Sequence, residues 1–299
     1  ACILEQNVAI YAPLATLAML TRMLRVRPAP LWRHARMPGE GSTCTTFRSQ
    51  GSAMSFWSSP ITQDKTNEGS ATAGDSRASA LEAFRDIVVS RRAANSFSDK
   101  QVEERVLRDI MALTQSAPSS FNLQPWSVVL VREPAARERL ATAMMGANGK
   151  KIRAAPVTAV FCADLEPSKR IHRMVELNRE AGMAEADVAK FSLAVNLFSG
   201  EGTVGNVLRN AVTNMASPMQ PAPEVGSAEA WSFKNTALAA QTFILSCAAH
   251  GLATAPMEGF DARRVRAVLD VPDRYGIPLV VCTGYPAPSK AGEGEGIDT

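Results

Sequence analysis

Four short runs of this sequence carry side chains able to do chemistry, and none of them resembles a hydrolytic or a metal centre. The longest is Ala117–Trp126, Ala-Pro-Ser-Ser-Phe-Asn-Leu-Gln-Pro-Trp. Pro118 and Pro125 fix their own φ and push the residues before them towards extended backbone. Small hydroxyls and amides fill the space between them, offering donors and acceptors without charge. A stiff, neutral, polar loop suits an uncharged heterocycle better than a phosphate or a metal ion. Ser90–Phe97 contains two adjacent cations, Arg91 and Arg92, at what reads as a helix end, where a solvated pair complements the helix dipole. Asn148-Gly-Lys-Lys151 by itself reads as an exposed turn. Pro256-Met-Glu-Gly-Phe-Asp261 contains Gly259, a residue that permits close approach of the backbone to another group.

Several chemistries are excluded. Ser119 or Ser120 as a nucleophile would need a histidine base and an acid behind it. His172 and His250 lie in helical stretches without such partners, and no Gly-x-Ser-x-Gly elbow is present. The five cysteines, Cys2, Cys44, Cys162, Cys247 and Cys282, are scattered without a Cys-x-x-Cys pair, which argues against a zinc site or a disulfide framework. With three histidines and no ligand spacing, no metal centre is expected. Gly200–Gly205 fits Gly-x-Gly-x-x-Gly, but the residues before it read as the end of a helix and not as the strand that a dinucleotide fingerprint requires. It is expected to be a loop. A net charge of +3, with no basic patch interleaved with aromatics, gives no reason to expect a nucleic-acid partner.

The elements that must position these runs follow from hydrophobic periodicity. Across 299 residues, 46% hydrophobic and 20% charged, there is enough apolar material for a large core. Leu81, Phe84, Ile87 and Val88 recur at helical spacing, so an ordered domain is expected from about Ala80. Ser98 with Gln101 reads as a capping box opening a second helix, with Val102, Val106, Ile110 and Leu113 on its buried face. Ser127–Arg132, Pro156–Ala163 and Ile277–Gly284 read as buried strands. Helices are expected after Pro134, over Pro167–Gly182, Ala184–Phe198 and Asp261–Leu269. Ala228–Gly251 is so apolar on every side that it must be central, in the core or at a subunit interface. The alternation predicts a mixed, layered domain with one core.

Residues 1–75 differ from the rest. Arg22, Arg25, Arg27, Arg33, Arg36 and Arg48 stand among serines and threonines, while Glu5 and Glu40 are the only acids before Asp64. That is the composition of an organellar transit peptide, and Met23–Arg36 reads as a mitochondrial leader. Val8–Leu20 is too short to span a bilayer, which takes about 20 residues. A polar linker, Thr62–Ser79, follows, so the expected organisation is a leader and linker over 1–75 and one domain over 76–299.

The four runs together resemble the flavin-dependent nitroreductase family. Pro118–Trp126 resembles its Pro-Ser-Ser-x-Asn-x-Gln-Pro-Trp signature, and Pro256–Asp261 its Pro-x-Glu-Gly-Phe-Asp segment. Arg91–Phe97 resembles its phosphate-gripping motif, with Ala93 where a serine is usual and Asn95 where a cation is usual. Asn148 and Lys151 resemble an Asn/Lys pair beside the flavin pyrimidine, and Asn235 stands where an amide reaches the flavin. The family's usual C-terminal basic pair is missing, with only Lys290 in the tail.

The resemblance implies an α+β, three-layer α/β/α sandwich forming an intertwined homodimer. It implies FMN held by Arg91, Arg92, Ala93, Asn95, Asn148, Lys151, Asn235, Pro256, Met257, Glu258 and Gly259 of one chain. Pro118, Ser119, Ser120 and Asn122 would come from the other chain, with Phe121 towards the substrate. NADH or NADPH would supply hydride and leave before a nitroaromatic or quinone takes two electrons, a ping-pong cycle in which the cofactor carries the chemistry and no side chain is assigned as acid or base. Two other readings remain open. Reductive dehalogenation on the same fold would need a lid with a tyrosine, and none occurs between Gly182 and Glu224. A non-enzymatic flavin-binding module would be told apart by its failure to oxidise NADH.

Overall fold

The strand Val157–Asp164 is buried at every position, so it must be covered on both faces. The computed structural model describes residues 73–219 and 226–288, together with three short upstream strands, β1 (Val8–Ala9), β2 (Arg33–Arg36) and β3 (Thr43–Thr46). The central sheet is built from β4 (Trp126–Val131), β5 (Val157–Asp164), β6 (Ala253–Met257) and β7 (Tyr275–Gly284). Their order is β4-β5-β7-β6, every pair antiparallel, with β1 parallel beside β4.

Alternation with a period of two sorts the strand side chains into two cores. Val129, Val131, Val160, Cys162, Val280 and Cys282 face Leu140 of α3 (Pro134–Ala141), Ile152 of α4 (Asn148–Ala154) and Val265 of α9 (Ala262–Leu269). Val128, Ala159, Phe161 and Val281 face Ile110 and Met111 of α2 (Glu104–Gln115) and Phe243 of α8 (Ala228–Ala249). The result is helices, sheet, helices: the three-layer α+β arrangement.

Several local expectations are corrected. The first helix, α1 (Ala73–Ser90), starts inside the stretch read as linker, and Leu81, Phe84 and Val88 are exposed where a buried face was expected. A helical stripe is necessary for burial but does not supply the surface that buries it. The capping box at Ser98 does not form: α2 begins at Glu104, after Glu103, and the Gln101 amide donates to the Asp99 carbonyl instead. Leu113, expected in the core, is exposed. Asn148–Lys151 is the first turn of a helix, not a turn between elements.

Two helices, α5 (Ile171–Glu180) and α6 (Glu185–Phe198), follow β5, and a third, α7 (Thr203–Ala216), lies where no element was expected. Of the run Gly200–Gly205, expected as a loop, Thr203–Gly205 forms the first turn of α7 and only Gly200–Gly202 joins α6 to α7, with Gly200 and Gly202 at positive φ. Its acid is used structurally: Glu201 accepts from the Ser168 amide at 2.9 Å and hydroxyl at 2.8 Å. The Met23–Arg36 leader, except for β2, lies outside the described residues, as does Lys290. Among the described residues no helix is long and apolar enough to cross a membrane, and no group of metal ligands is found.

Candidate functional site

The candidate residues fall into two groups, each assembled locally from segments distant in sequence. The first gathers around β6. Ala93 bridges Thr254, and the Ala94 amide donates to the Thr254 carbonyl at 2.8 Å, which seats Arg91–Asn95 against this edge strand. The Gly259 carbonyl accepts from the Met145 amide at 2.9 Å and from the Asn148 side chain at 3.1 Å. A Cβ at position 259 would lie 2.7 Å from the Asn148 amide nitrogen, so only glycine allows this approach.

Arg91, Asn148 and Lys151 are half-buried, while Arg92, Ala93, Asn95, Pro256 and Glu258 are exposed. Met257 is different: its side chain is buried in the core, leaving only its backbone for a ligand. Arg92 partly caps α1, donating to the carbonyls of Val89 and Arg91. Among the described residues no ion pair engages Arg91, Arg92 or Lys151. The Lys151 charge is felt by the Cys282 thiol beneath it, tempering the upward push of burial that takes that thiol to about 12.

The second group is the loop before β4. The Ser119 hydroxyl accepts from the Gln124 amide N–H at 2.9 Å. The Gln124 side chain donates to the Ala117 carbonyl at 3.2 Å and to the Asn122 side-chain oxygen at 3.3 Å, and its own oxygen accepts from the Trp126 indole at 2.8 Å. Phe121, Asn122 and Gln124 all have positive φ, at 56°, 55° and 48°. Such conformations cost about 1–3 kcal/mol each for residues other than glycine and persist only where the surroundings over-determine them. The Phe121 ring packs edge-on against Phe191 of α6, with centroids 6.2 Å apart, and against Phe198 at 5.7 Å. That contact fixes Phe121 to the helices after β5.

Asn235 does not join the β6 group. It is buried, and both ends of its amide are committed: the oxygen accepts from the Ser120 N–H at 2.7 Å and the nitrogen donates to the Trp231 carbonyl at 2.8 Å. Its role here is to hold the loop. A sequence match could place Asn235 near the site but could not say whether its amide faces a ligand or the backbone.

Sequence reasoning also missed a buried ionic cluster under the loop. Asp164, fully buried, accepts from the Arg170 guanidinium at 2.7 Å and the Arg274 guanidinium at 2.6 Å. Its amide donates to the Pro125 carbonyl at 2.9 Å, and its carbonyl accepts from the Ser232 hydroxyl at 2.5 Å. One residue thus ties the exit of the loop and α8 through its backbone to the turns before β7 and α5 through its carboxylate. The only sequence signal was an acid ending an otherwise apolar strand.

The two groups lie on well-separated strands of the sheet, since the loop enters β4 and the other group surrounds the edge strand β6, with β5 and β7 between them. Three strand spacings, about 14 Å, separate β4 from β6. They also belong to opposite layers, Asn235 to α8 and Asn148 with Lys151 to α4.

Residues 88–285 match the nitroreductase family model. A Thermus thermophilus protein named NADH dehydrogenase is 31% identical over 202 residues, covering 66% of this chain and 83% of its own. The nitroreductase family protein of Streptococcus pneumoniae TIGR4 superposes with a TM-score of 0.54 at 24% identity, over 69% of this chain and 92% of that one. An Exiguobacterium sibiricum protein solved in complex with FMN gives a TM-score of 0.52 at 17% identity, over 69% and 91% of the two chains. With the family match extending over most of the described domain, and with its two layers of helices around an antiparallel sheet, the chain belongs to the nitroreductase family.

Proposed function

We propose that the protein is an FMN-dependent oxidoreductase that takes hydride from NADH or NADPH and delivers two electrons to a nitroaromatic or quinone, working as a homodimer. The observation that carries this reading is the division of the polar residues into two groups three strands apart and in opposite layers of one sheet. Neither group alone can both grip a phosphate and floor a planar ring. Two copies can, when the Ser119–Asn122 loop of one meets the β6 group of the other.

The residues fit FMN by their chemistry. Arg91 and Arg92 provide forked donors for phosphate, without a carboxylate competing for them among the described residues. The Asn148 amide stands beside Gly259 and Lys151 follows on the same helix, so donors and a positive charge would meet the polar edge of a heterocycle. Bound FMN would supply the two-electron chemistry; the protein supplies orientation and charge. Apolar surface for pairing is present: Phe84 of α1 is 55% exposed and Leu238 of α8 is 44% exposed, an unusual fate for large apolar side chains on two neighbouring helices. The names of relatives, NADH dehydrogenase and NAD(P)H nitroreductase, support the choice of hydride donor.

The test is direct. Purified protein should be yellow, or should take up FMN in titration to one per chain, and should elute as a dimer and oxidise NADH or NADPH when a quinone is added. A colourless monomer that binds no FMN would refute the reading. Import into mitochondria, suggested by the Arg-rich N-terminal composition, is a separate proposal. A uniform cytosolic signal from a full-length fluorescent fusion would overturn it.

A further inference from the structure

We infer that Gln124 is a positioning residue for the flavin site, holding the Ser119–Asn122 loop in the left-handed conformation that presents it to the cofactor. The inference rests on the FMN reading above and deepens it. Gln124 is not among the residues assigned to the cofactor, but it bonds directly to two that are, Ser119 and Asn122. Its amide works at both ends: the nitrogen bonds the Ala117 carbonyl and the Asn122 side chain, while the oxygen accepts from the Trp126 indole. Its backbone N–H reaches back to the Ser119 hydroxyl at 2.9 Å. One residue therefore links both ends of the loop, the two candidate binding residues Ser119 and Asn122, and the buried indole that opens β4.

The link matters because the segment it closes is strained. Phe121 and Asn122 lie at φ 56° and 55°, and Gln124 itself at 48°. Left to local preference, such residues return to negative φ, which would turn the Ser120 and Asn122 side chains away from their present directions. On the other side the loop is held at Ser120 by Asn235. Gln124 supplies the constraint between Asn122 and β4. The Asn122 oxygen is oriented by the Gln124 donor, which fixes which end of the Asn122 amide remains available to a ligand.

The experiment compares wild type with Gln124→Leu, Gln124→Gly and Gln124→Glu, reading the FMN dissociation constant by fluorescence titration and the melting temperature of the apoprotein separately. Leucine removes donor and acceptor at nearly constant shape. Glycine also removes them but accepts positive φ freely, so it separates the amide from the backbone preference. Glutamate keeps the acceptor for Trp126 and loses the donor until it is protonated. Gln124→Leu and Gln124→Gly should each weaken FMN by about tenfold or more, since one lost hydrogen bond is about 1 kcal/mol and several converge here. Gln124→Glu should be equally weak at about pH 7.5 and regain part of its affinity relative to wild type as pH falls below about 5, where the carboxyl, at about 4.3 in the free residue, takes up its proton and can donate to one of the two acceptors. Variants that bind within twofold of wild type, or a glutamate variant whose relative affinity is flat with pH, would overturn the inference. Wild-type protein that takes up no FMN would instead refute the cofactor reading and this inference with it.

Discussion

The loop at Ser119–Gln124 and the cationic cluster around β6 both present polar side chains, but they are held in opposite ways. In the loop, side chains bond to the loop's own backbone and to each other, and three residues are kept at positive φ. No charge is involved. Around β6 the backbone does the holding, through Ala94 to Thr254 and Met145 to Gly259, while Arg91 and Lys151 keep their charge without an ion-pair partner among the described residues. The first region stores conformational strain and offers a rigid neutral surface. The second stores electrostatic potential and offers cations that a ligand must satisfy. A planar, polar ring and a phosphate are served by those two strategies respectively, and each strategy fails in its own way when a residue is removed.

The most severe break in the neutral region should come from Asp164→Asn. Two guanidinium groups would lose their common anion beneath the Pro125 carbonyl, and breaking a buried pair by removing one partner costs about 3–5 kcal/mol. Urea denaturation should show the midpoint falling by that amount, and a change below about 1 kcal/mol would mean that water or rearrangement already satisfies the arginines. In the cationic region the corresponding test is kinetic. Lys151→Met should leave stability within about 0.5 kcal/mol yet slow flavin bleaching by NADH roughly 10²–10³-fold at equal FMN occupancy, because a charge fixed in advance lowers the barrier without reorganisation. Stopped-flow rates equal to wild type would leave Lys151 as a surface lysine.

Arg91→Ala separates grip from catalysis. Loss of a charge-assisted bond should weaken FMN by about 1.5–3 kcal/mol, read as a higher dissociation constant, while bleaching at saturating FMN stays near wild type. An equal loss in both would assign Arg91 to the reaction as well. The gentlest probe compares the two layers through their thiols. Burial pushes both Cys247, against α8's side of the sheet, and Cys282, below Lys151, up to about 12, even though the Thr283 hydroxyl bonds the first and the Thr158 hydroxyl bonds the second. The folded state therefore disfavours thiolate. Its contribution to stability is fully present below the unfolded thiol range, at about 8.5, and is lost as pH rises towards 12. Neither thiol should react with a disulfide reagent at about pH 8 in native protein, and both should react on unfolding. Native-state labelling of Cys282 alone would show that the α4 side opens while the α8 side stays closed.

How much of this was legible beforehand differs between elements. The buried strands were readable within a residue or two, because Val, Ile, Phe and Cys in short uninterrupted runs have few other fates. Strand β6 was not, since Ala253–Met257 has too few branched residues to announce itself and contains Pro256, which an edge strand tolerates. Helix α7 was missed although Val204, Leu208, Val212 and Met215 recur at helical spacing, because the glycine run that overlaps its first turn reads as loop and its start is marked only by a glycine at positive φ. Leu81, Phe84 and Val88 formed a true helical stripe that the single chain leaves uncovered.

Composition and periodicity by themselves pointed to a mixed, layered domain with one core, to the separate character of residues 1–75 and to the polarity of the loop, because those depend on local preference and on the total apolar area available. The resemblance of short motifs to the nitroreductase family marked Arg91, Ser119, Asn122, Lys151 and Gly259 as site residues. Only the tertiary structure decided which of those motifs meet. It set the loop at β4 and the cluster at β6 three strands apart in one sheet, turned the Asn235 amide onto the Ser120 backbone, and buried Met257 while leaving Glu258 exposed. The physical reason is the order β4-β5-β7-β6: strand neighbours are chosen by how apolar faces stack across the whole core, and that choice depends on pairs of residues more than 100 positions apart, such as Thr158 with Cys282.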